Sequence, residues 1–163
     1  MNELAITIRP GRFEDVEAEA ELNRSVDWCF DERHTLAEYH DDAYEPSSVL
    51  VAELDGRLVG KLELFIARKS TYGQFALIRR FVVAEGMRGR GVGGTMLEAA
   101  TALAGAAGCA FLELTVDVTN PEAHTFYKRI GFNEDRVEVI MRKPLDGATH
   151  RSDHRAQAEA DRL

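Results

Sequence analysis

Residues 88–94, Arg-Gly-Arg-Gly-Val-Gly-Gly, lie between an apolar run that ends at Val83 and a segment of helical periodicity that begins near Val92. Glycine lets the backbone approach a ligand closely, and the first amides of a helix are unpaired donors at the positive end of its dipole. The stretch therefore indicates an anion-binding turn, to which Arg88 and Arg90 add positive charge. Because glycines also serve ordinary strand-to-helix turns, the pattern alone does not establish a phosphate site.

Two familiar phosphate-binding motifs do not fit this stretch. A Walker loop continues with Lys-Ser or Lys-Thr after its last glycine, and neither follows Gly94. The Rossmann fingerprint follows the first strand of a βαβ unit and is accompanied by an acid at the end of the next strand, a context that this stretch does not match. A kinase-like or nucleotide phosphate site is therefore a remote alternative.

The rest of the chain predicts an α/β (α+β) fold, a mixed sheet with helices packed on its faces. Asp55-Gly56 reads as a two-residue hairpin turn between two of the strands. The predicted strands cover residues 4–9, 48–54, 58–67, 75–83, 110–116 and 137–141. The predicted helices cover residues 12–26, 36–43 and 92–107, and a fourth opens near Pro121.

Composition sets the class of protein. With 45% hydrophobic and 29% charged residues in 163, the chain is typical of a soluble globular protein. A formal charge of −8 argues against a nucleic-acid partner, whose phosphates need a basic face, and fits a cationic or amine-bearing partner. No apolar run approaches the roughly 20 residues that cross a bilayer, and no export signal is visible. We therefore expect a cytoplasmic protein without a membrane partner.

One folded domain is expected over residues 1–144. Residues 145–163 hold few large apolar groups, so they are expected to form a polar tail that is either disordered or weakly helical. Cys29 and Cys109 have no His or Cys at metal-ligand spacing, so we expect two reduced, buried thiols and no metal site. The sequence leaves open whether two chains pair into a homodimer.

Residues 120–132 predict a capped helix directly after a strand. Asn120 sits at the capping end, and Gly131 is placed to end the helix. Ala123 and Tyr127 share one helix face at four-residue spacing. An ordinary amphipathic helix packed on a core accounts for the apolar residues of this block.

Taken together, the two blocks resemble the GNAT superfamily of acyl-CoA-dependent N-acetyltransferases. The loop pattern of that family is Gln or Arg, two residues, Gly, one residue, then Gly or Ala, and Arg88, Gly91 and Gly93 fill it. Asn120 is similar to the family's asparagine beside the cofactor, and Tyr127 to its catalytic tyrosine. The resemblance covers most of the chain and leaves out only the polar tail.

The resemblance implies a GNAT-like fold, with a central sheet flanked by helices whose fourth and fifth strands splay apart to receive the pantetheine of acetyl-CoA, the cosubstrate. Backbone groups at the end of the fourth strand would pair with pantetheine and polarise the thioester carbonyl, where charge develops. The glycine-rich stretch would hold the pyrophosphate. The implied coenzyme A contacts are Phe81, Val82, Val83, Arg88, Gly89, Arg90, Gly91, Val92, Gly93, Gly94 and Asn120.

For Tyr127 the resemblance implies the general acid that protonates the departing thiolate. A phenol of pKa about 10 aimed at sulfur can supply that proton. A tyrosine packed for its ring, with its hydroxyl bonded elsewhere, is the alternative. His124 lies three residues before Tyr127, and we interpret it as a lone surface histidine.

The general base is poorly specified. Some relatives carry a glutamate on the fourth strand, where this sequence has Leu-Ile-Arg-Arg at residues 77–80, and the fifth-strand position used by ribosomal-protein alanine acetyltransferases holds Thr115. Glu113 and Asp117 flank Thr115 by the strand period of two, and Glu63 lies on the third strand. We choose Glu113 as the candidate base, although each carboxylate also fits a solvated surface position.

The primary hypothesis is transfer of an acetyl group from acetyl-CoA to a primary amine of a small molecule or peptide, by direct attack in a ternary complex. The cysteines have no visible activating partner, so no covalent enzyme intermediate is expected. Trp28, Phe30, Asp31 and Glu32 are candidates for the acceptor pocket, while core packing is the alternative for the aromatic pair. A non-catalytic acyl-CoA-binding or regulatory module is the alternative function, because the family's base is missing.

Overall fold

The computed structural model describes residues 5–26, 48–141 and 143. It divides into two compact units, Met1–Thr115 and Val116–Leu163. The predicted helix over residues 36–43 and the polar tail lie outside the described residues. Within the described ranges, no helix is both long enough and apolar enough to cross a bilayer.

The first unit is built on a five-stranded sheet in the order β1-β2-β3-β4-β5. Its strands are β1 (Thr7–Pro10), β2 (Ser48–Leu54), β3 (Arg57–Lys69), β4 (Gly73–Val83) and β5 (Leu112–Leu114). Neighbouring strands are antiparallel except β4 and β5, which are parallel. Asp55 and Gly56, with φ of 51° and 74°, form the predicted turn between β2 and β3. The mixed sheet and its hairpin are confirmed.

Two helices of the first unit lie on opposite faces of the sheet. The described α-helices are α1 (Val16–Arg24), α2 (Val92–Ala106) and, in the second unit, α3 (Pro121–Arg129). Lys61 of β3 reaches Glu19 of α1, with 2.6 Å between Nζ and Oε2, whereas the adjacent Gly60 lies against Met96 of α2. Successive residues of a strand point to opposite faces, so α1 and α2 flank the sheet.

Gly60 brings α2 close to the end of β4. A Cβ at this position would stand 2.6 Å from the Met96 sulfur, so only glycine permits the observed packing. Gly60 is also paired with Val83, the last residue of β4. Fully buried side chains at Val92, Met96 and Ala100 give α2 an apolar face at helical spacing. This packing fixes the first turns of α2 beside the end of β4.

Two predicted strands differ from the structure. β5 has three residues, where seven were predicted over 110–116. Residues 137–141 form no strand, and the side chains of Val137, Val139 and Met141 are at least 80% exposed. A strand needs a neighbour that pairs its N–H and C=O groups, and alternating hydrophobicity supplies none. The prediction of a closing strand was wrong.

Candidate active site

β4 is longer than its ladder with β5. The two strands pair at Ala76 with Leu112, at Leu77 with Glu113, and at Ile78 with Leu114. The ladder ends there, while β4 itself runs on to Val83 in its pairing with β3. β5 ends at Leu114, so residues 79–83 of β4 extend past their last pair with β5, at the position to which the GNAT resemblance assigns pantetheine.

A bulge in β4 lies directly after its last pair with β5. The ladder with β3 shifts register between Lys61 and Glu63, because β4 carries one extra residue opposite that stretch. Arg80, in the bulge, has φ of 47°, a left-handed value that is uncommon for residues other than glycine. Bulges bend a strand and increase its twist. Phe81, Val82 and Val83 therefore continue in a new direction from the part of β4 that pairs with β5.

The glycine-rich stretch forms the entry to α2, as predicted. Gly89 and Gly91 have φ of 72° and 90°, values that a side chain would strain, and Gly91 is the N-cap. The Thr95 N–H donates to the Gly91 carbonyl at 3.1 Å. The amides of residues 92–94 precede that bond and have no partner within the helix.

The surface around these amides is open. A Cβ added to Gly89, Gly91 or Gly94 would meet no atom within 4 Å. The side chains of Arg88 and Arg90 are exposed at the same turn. The structure therefore brings free space, helix amides and positive charge together at the start of α2, and these features suit a diphosphate.

In the second unit both predicted ends of α3 are confirmed. The Asn120 Oδ1 accepts a hydrogen bond from the Ala123 N–H at 3.1 Å, which caps the N-terminus. Gly131 follows the helix with φ of 99°, and the Phe132 N–H donates to the Tyr127 carbonyl at 3.0 Å. The Gly131 N–H donates to the Lys128 carbonyl at 3.2 Å, and these two C-terminal bonds form a Schellman closure, which fixes the turn that carries Tyr127.

The ring of Tyr127 lies between two aromatic neighbours. The ring centroids of Phe126 and Phe132 are 5.1 Å and 5.6 Å from that of Tyr127, both edge-on. Burial raises the pKa of Tyr127 to about 12. The phenol is therefore protonated at physiological pH, the form that a general acid requires.

The candidate bases on and after β5 differ in their surroundings. Glu113 lies within β5, half-buried, at the position paired with Leu77. Asp117 lies beyond the end of β5, and its Oδ1 accepts from the N–H and the hydroxyl of Thr119 at 2.8 and 2.7 Å. The prediction that Glu113 and Asp117 share one face of this strand was wrong, because β5 ends at Leu114 and Asp117 lies outside it.

Four charged residues form a row of consecutive ion pairs, which we call the buried charge chain: Glu19, Lys61, Glu63 and Arg80. The Lys61 Nζ is 2.6 Å from Glu19 Oε2 and 3.4 Å from Glu63 Oε1, which is 3.7 Å from Arg80 Nη1. The side chains of Glu19, Lys61 and Glu63 are at most 5% exposed. From the sequence, Glu63 is a candidate base only, whereas in the structure its carboxylate lies between two cations.

His124 is not a lone surface residue. Its Nδ1 is 3.2 Å from Glu134 Oε1, and its Nε2 is 3.1 Å from the Asp117 carbonyl oxygen. The Lys128 Nζ is 2.9 Å from the same Glu134 oxygen. Hydrogen bonds from Lys128 and then from His124 lower the pKa of Glu134 below its ordinary value. His124 therefore links the segments on either side of α3.

The profile of the family described as "Acetyltransferase (GNAT) family" matches residues 13–132. The chain belongs to this family. The GNAT chain is 31% identical over 103 residues to a streptothricin acetyltransferase of Escherichia coli. That match covers 63% of the chain and 57% of the relative, so the chain spans less than two thirds of the relative's length.

Solved structures confirm the predicted GNAT fold. An aminoglycoside antibiotic 6′-N-acetyltransferase from Acinetobacter haemolyticus superposes with a TM-score of 0.72 at 21% identity, over 86% of this chain and 99% of that one. An aminoglycoside N-acetyltransferase in complex with CoA superposes with a TM-score of 0.73 at 18% identity, over 88% and 98% of the two chains.

The remaining predictions for this GNAT chain concern its cysteines, a metal site and the acceptor pocket. Cys109 is a free cysteine but is half-buried, so the expectation of a buried thiol was wrong, because the residue follows the end of α2 at the surface. Among the residues that the structure describes, no group of three or more His, Cys, Asp or Glu is placed to hold a metal ion. The predicted acceptor-pocket residues and the second cysteine lie outside the described residues: Trp28, Cys29, Phe30, Asp31 and Glu32.

Proposed function

We propose that this chain transfers the acetyl group of acetyl-CoA to a primary amine of a small molecule or peptide, by direct attack in a ternary complex. The observation that carries the proposal is the extension of β4 past its last pair with β5, followed directly by the glycine-rich entry to α2. Membership of the GNAT family supports the acetyl donor. The names of the similar proteins, which include N-acetyltransferases of aminoglycosides, support a nitrogen acceptor.

The residues present fit coenzyme A by charge and by space. Its pyrophosphate is an anion, and the amides of residues 92–94 are donors at the positive end of α2. Arg88 and Arg90 supply two further positive charges at the same turn. The absence of any side chain at Gly91 and Gly94 leaves room for a ligand against the backbone.

The chain's own groups would divide the chemistry between them. Bound acetyl-CoA supplies the acetyl group as a thioester. Backbone amides within residues 81–83 donate hydrogen bonds to the carbonyl oxygen as charge develops there. Glu113 takes a proton from the attacking amine while the carbon–nitrogen bond forms. Tyr127 donates its phenolic proton to sulfur as the carbon–sulfur bond breaks.

The test is an acceptor screen with acetyl-CoA and a panel of primary amines, which includes aminoglycosides, amino acids and peptides. The expected result is amine-dependent release of free thiol and a product heavier by one acetyl group. Arg88→Ala is expected to raise the KM for acetyl-CoA, and Arg57→Ala, which removes another exposed arginine at the β2–β3 turn, is the matched control. Binding of acetyl-CoA with no thiol release for any amine would favour the non-catalytic module.

A further inference from the structure

Arg80 holds an unusual backbone conformation inside a strand. It is one of two described residues other than glycine with positive φ, and the other, Asp55, lies in a turn where such values are ordinary. A residue with a Cβ is strained in the left-handed region, and such strain persists only where the surroundings enforce it. The bulge of β4 therefore needs contacts that hold Arg80 in place.

The buried charge chain supplies such a contact. The Arg80 guanidinium is half-exposed, but the Glu63 carboxylate that it approaches at 3.7 Å is only 2% exposed. The Glu63 carboxylate is fixed in position, because Lys61 lies 3.4 Å from it and is itself paired with Glu19 of α1 at 2.6 Å. The chain of charges thus connects α1, through β3, to the bulge.

We propose that Glu63 is a positioning residue for acetyl transfer, which holds Arg80 in the left-handed conformation and so keeps the β4 bulge. The inference rests on the proposed function. Without the bulge, β4 would slip by one residue against β3, and a slip of one residue turns every following group to the other face. The amides of residues 81–83 would then no longer point to the thioester carbonyl. In this role Glu63 takes no proton from the amine.

The variant Arg80→Gly distinguishes a positioning role of Glu63 from a role as a base or as a fold contact. Glycine adopts positive φ without strain, so it should keep the bulge without help from Glu63. Glu63→Gln and Arg80→Ala are each expected to lower kcat/KM by about tenfold, and the loss falls mainly on kcat, since the oxyanion contact matters most in the transition state. Arg80→Gly is expected to lose clearly less than Arg80→Ala. In the Arg80→Gly background, Glu63→Gln is expected to add less than about a twofold loss.

The outcomes separate three explanations. If Glu63→Gln costs as much in the Arg80→Gly background as in the wild type, Glu63 acts on its own as a base or a fold contact, and the inference is refuted. Equal losses for Arg80→Gly and Arg80→Ala also refute it, and this pair decides the question if Glu63→Gln does not fold by circular dichroism. A wild-type protein that binds no coenzyme A by calorimetry would refute the proposed function instead.

Discussion

Replacement of Tyr127 by phenylalanine tests the general acid with the smallest change of shape. The ring keeps its edge-on neighbours Phe126 and Phe132, and only the hydroxyl is lost. The hydroxyl is expected to act on sulfur only as it departs, so the substitution should lower kcat and leave the KM for acetyl-CoA within about twofold.

The raised pKa decides the expected magnitude. General acids contribute about 10²- to 10⁴-fold to a rate. Burial raises the Tyr127 pKa to about 12, whereas alkyl thiols such as cysteine ionise near about 8.5. Full transfer of the proton to sulfur is then uphill by roughly 3.5 pK units, or about 5 kcal/mol. The phenol is therefore a weak acid for this task, and a loss near about 10²-fold in kcat is expected for Tyr127→Phe.

Thiol release at saturating acetyl-CoA measures this loss, with Tyr72→Phe as the control. Tyr72 packs on Phe75 and Phe111 in the first unit, and removal of its hydroxyl should leave kcat within about twofold. Since the raised pKa keeps the phenol protonated, the ratio of wild-type to Tyr127→Phe rates should stay constant up to about pH 10. A variant within about threefold of the wild type would refute the role of Tyr127 as acid.

Three further predictions concern stability and binding. Gly94→Ala is expected to raise Tm by about 2–4 °C, because its Cβ meets no atom within 4 Å and alanine favours a helix, but to weaken acetyl-CoA binding in calorimetry. Gly105→Ala, which is also uncrowded in α2, should keep the affinity for acetyl-CoA. Equal affinities for the two variants would contradict the placement of the ligand. Lys61→Met leaves the buried carboxylates of Glu19 and Glu63 without their lysine and should lower the free energy of unfolding by about 3–5 kcal/mol in urea titrations. Lys128→Met removes the partner of Glu134, which is 63% exposed, and should lower it by less than about 1 kcal/mol. Similar losses for the two variants would contradict the argument from burial. A hydrogen bond from Arg9 lowers the pKa of Asp15 below its ordinary 3.8. The stability that this carboxylate contributes is therefore present above pH 3.8 and is lost as the pH falls below that value. Asp15→Asn should weaken the acid dependence in a plot of unfolding free energy against pH, and an unaltered acid dependence would contradict the role of the Arg9–Asp15 pair.

The sequence predicts those parts of the fold that local chemistry controls. Asp55-Gly56 specifies its turn because both residues tolerate positive φ, and Asn120 and Gly131 mark the ends of α3 because each satisfies helix-end backbone groups. The glycine-rich stretch predicts the entry to α2 for the same reason. All of these signals are read within a few residues of the chain.

The parts of the structure that the sequence does not predict depend on residues far apart in the chain. The contact between Glu19 and Lys61 joins positions 42 residues apart, and no local pattern announces it. The paired arginines at 79 and 80 do interrupt an apolar strand, and that interruption was the available signal of the bulge. Residues 137–141 show the converse case, since strand periodicity without a pairing partner did not make a strand.

A crystal structure of the protein with bound acetyl-CoA tests the central claim most directly. The expected result is a pyrophosphate on the amides of residues 92–94, a thioester carbonyl within hydrogen-bond reach of an amide in residues 81–83, and a sulfur beside the Tyr127 hydroxyl. Density for the ligand at another surface, or along residues 81–83 with its sulfur remote from Tyr127, would contradict the proposed acetyl transfer.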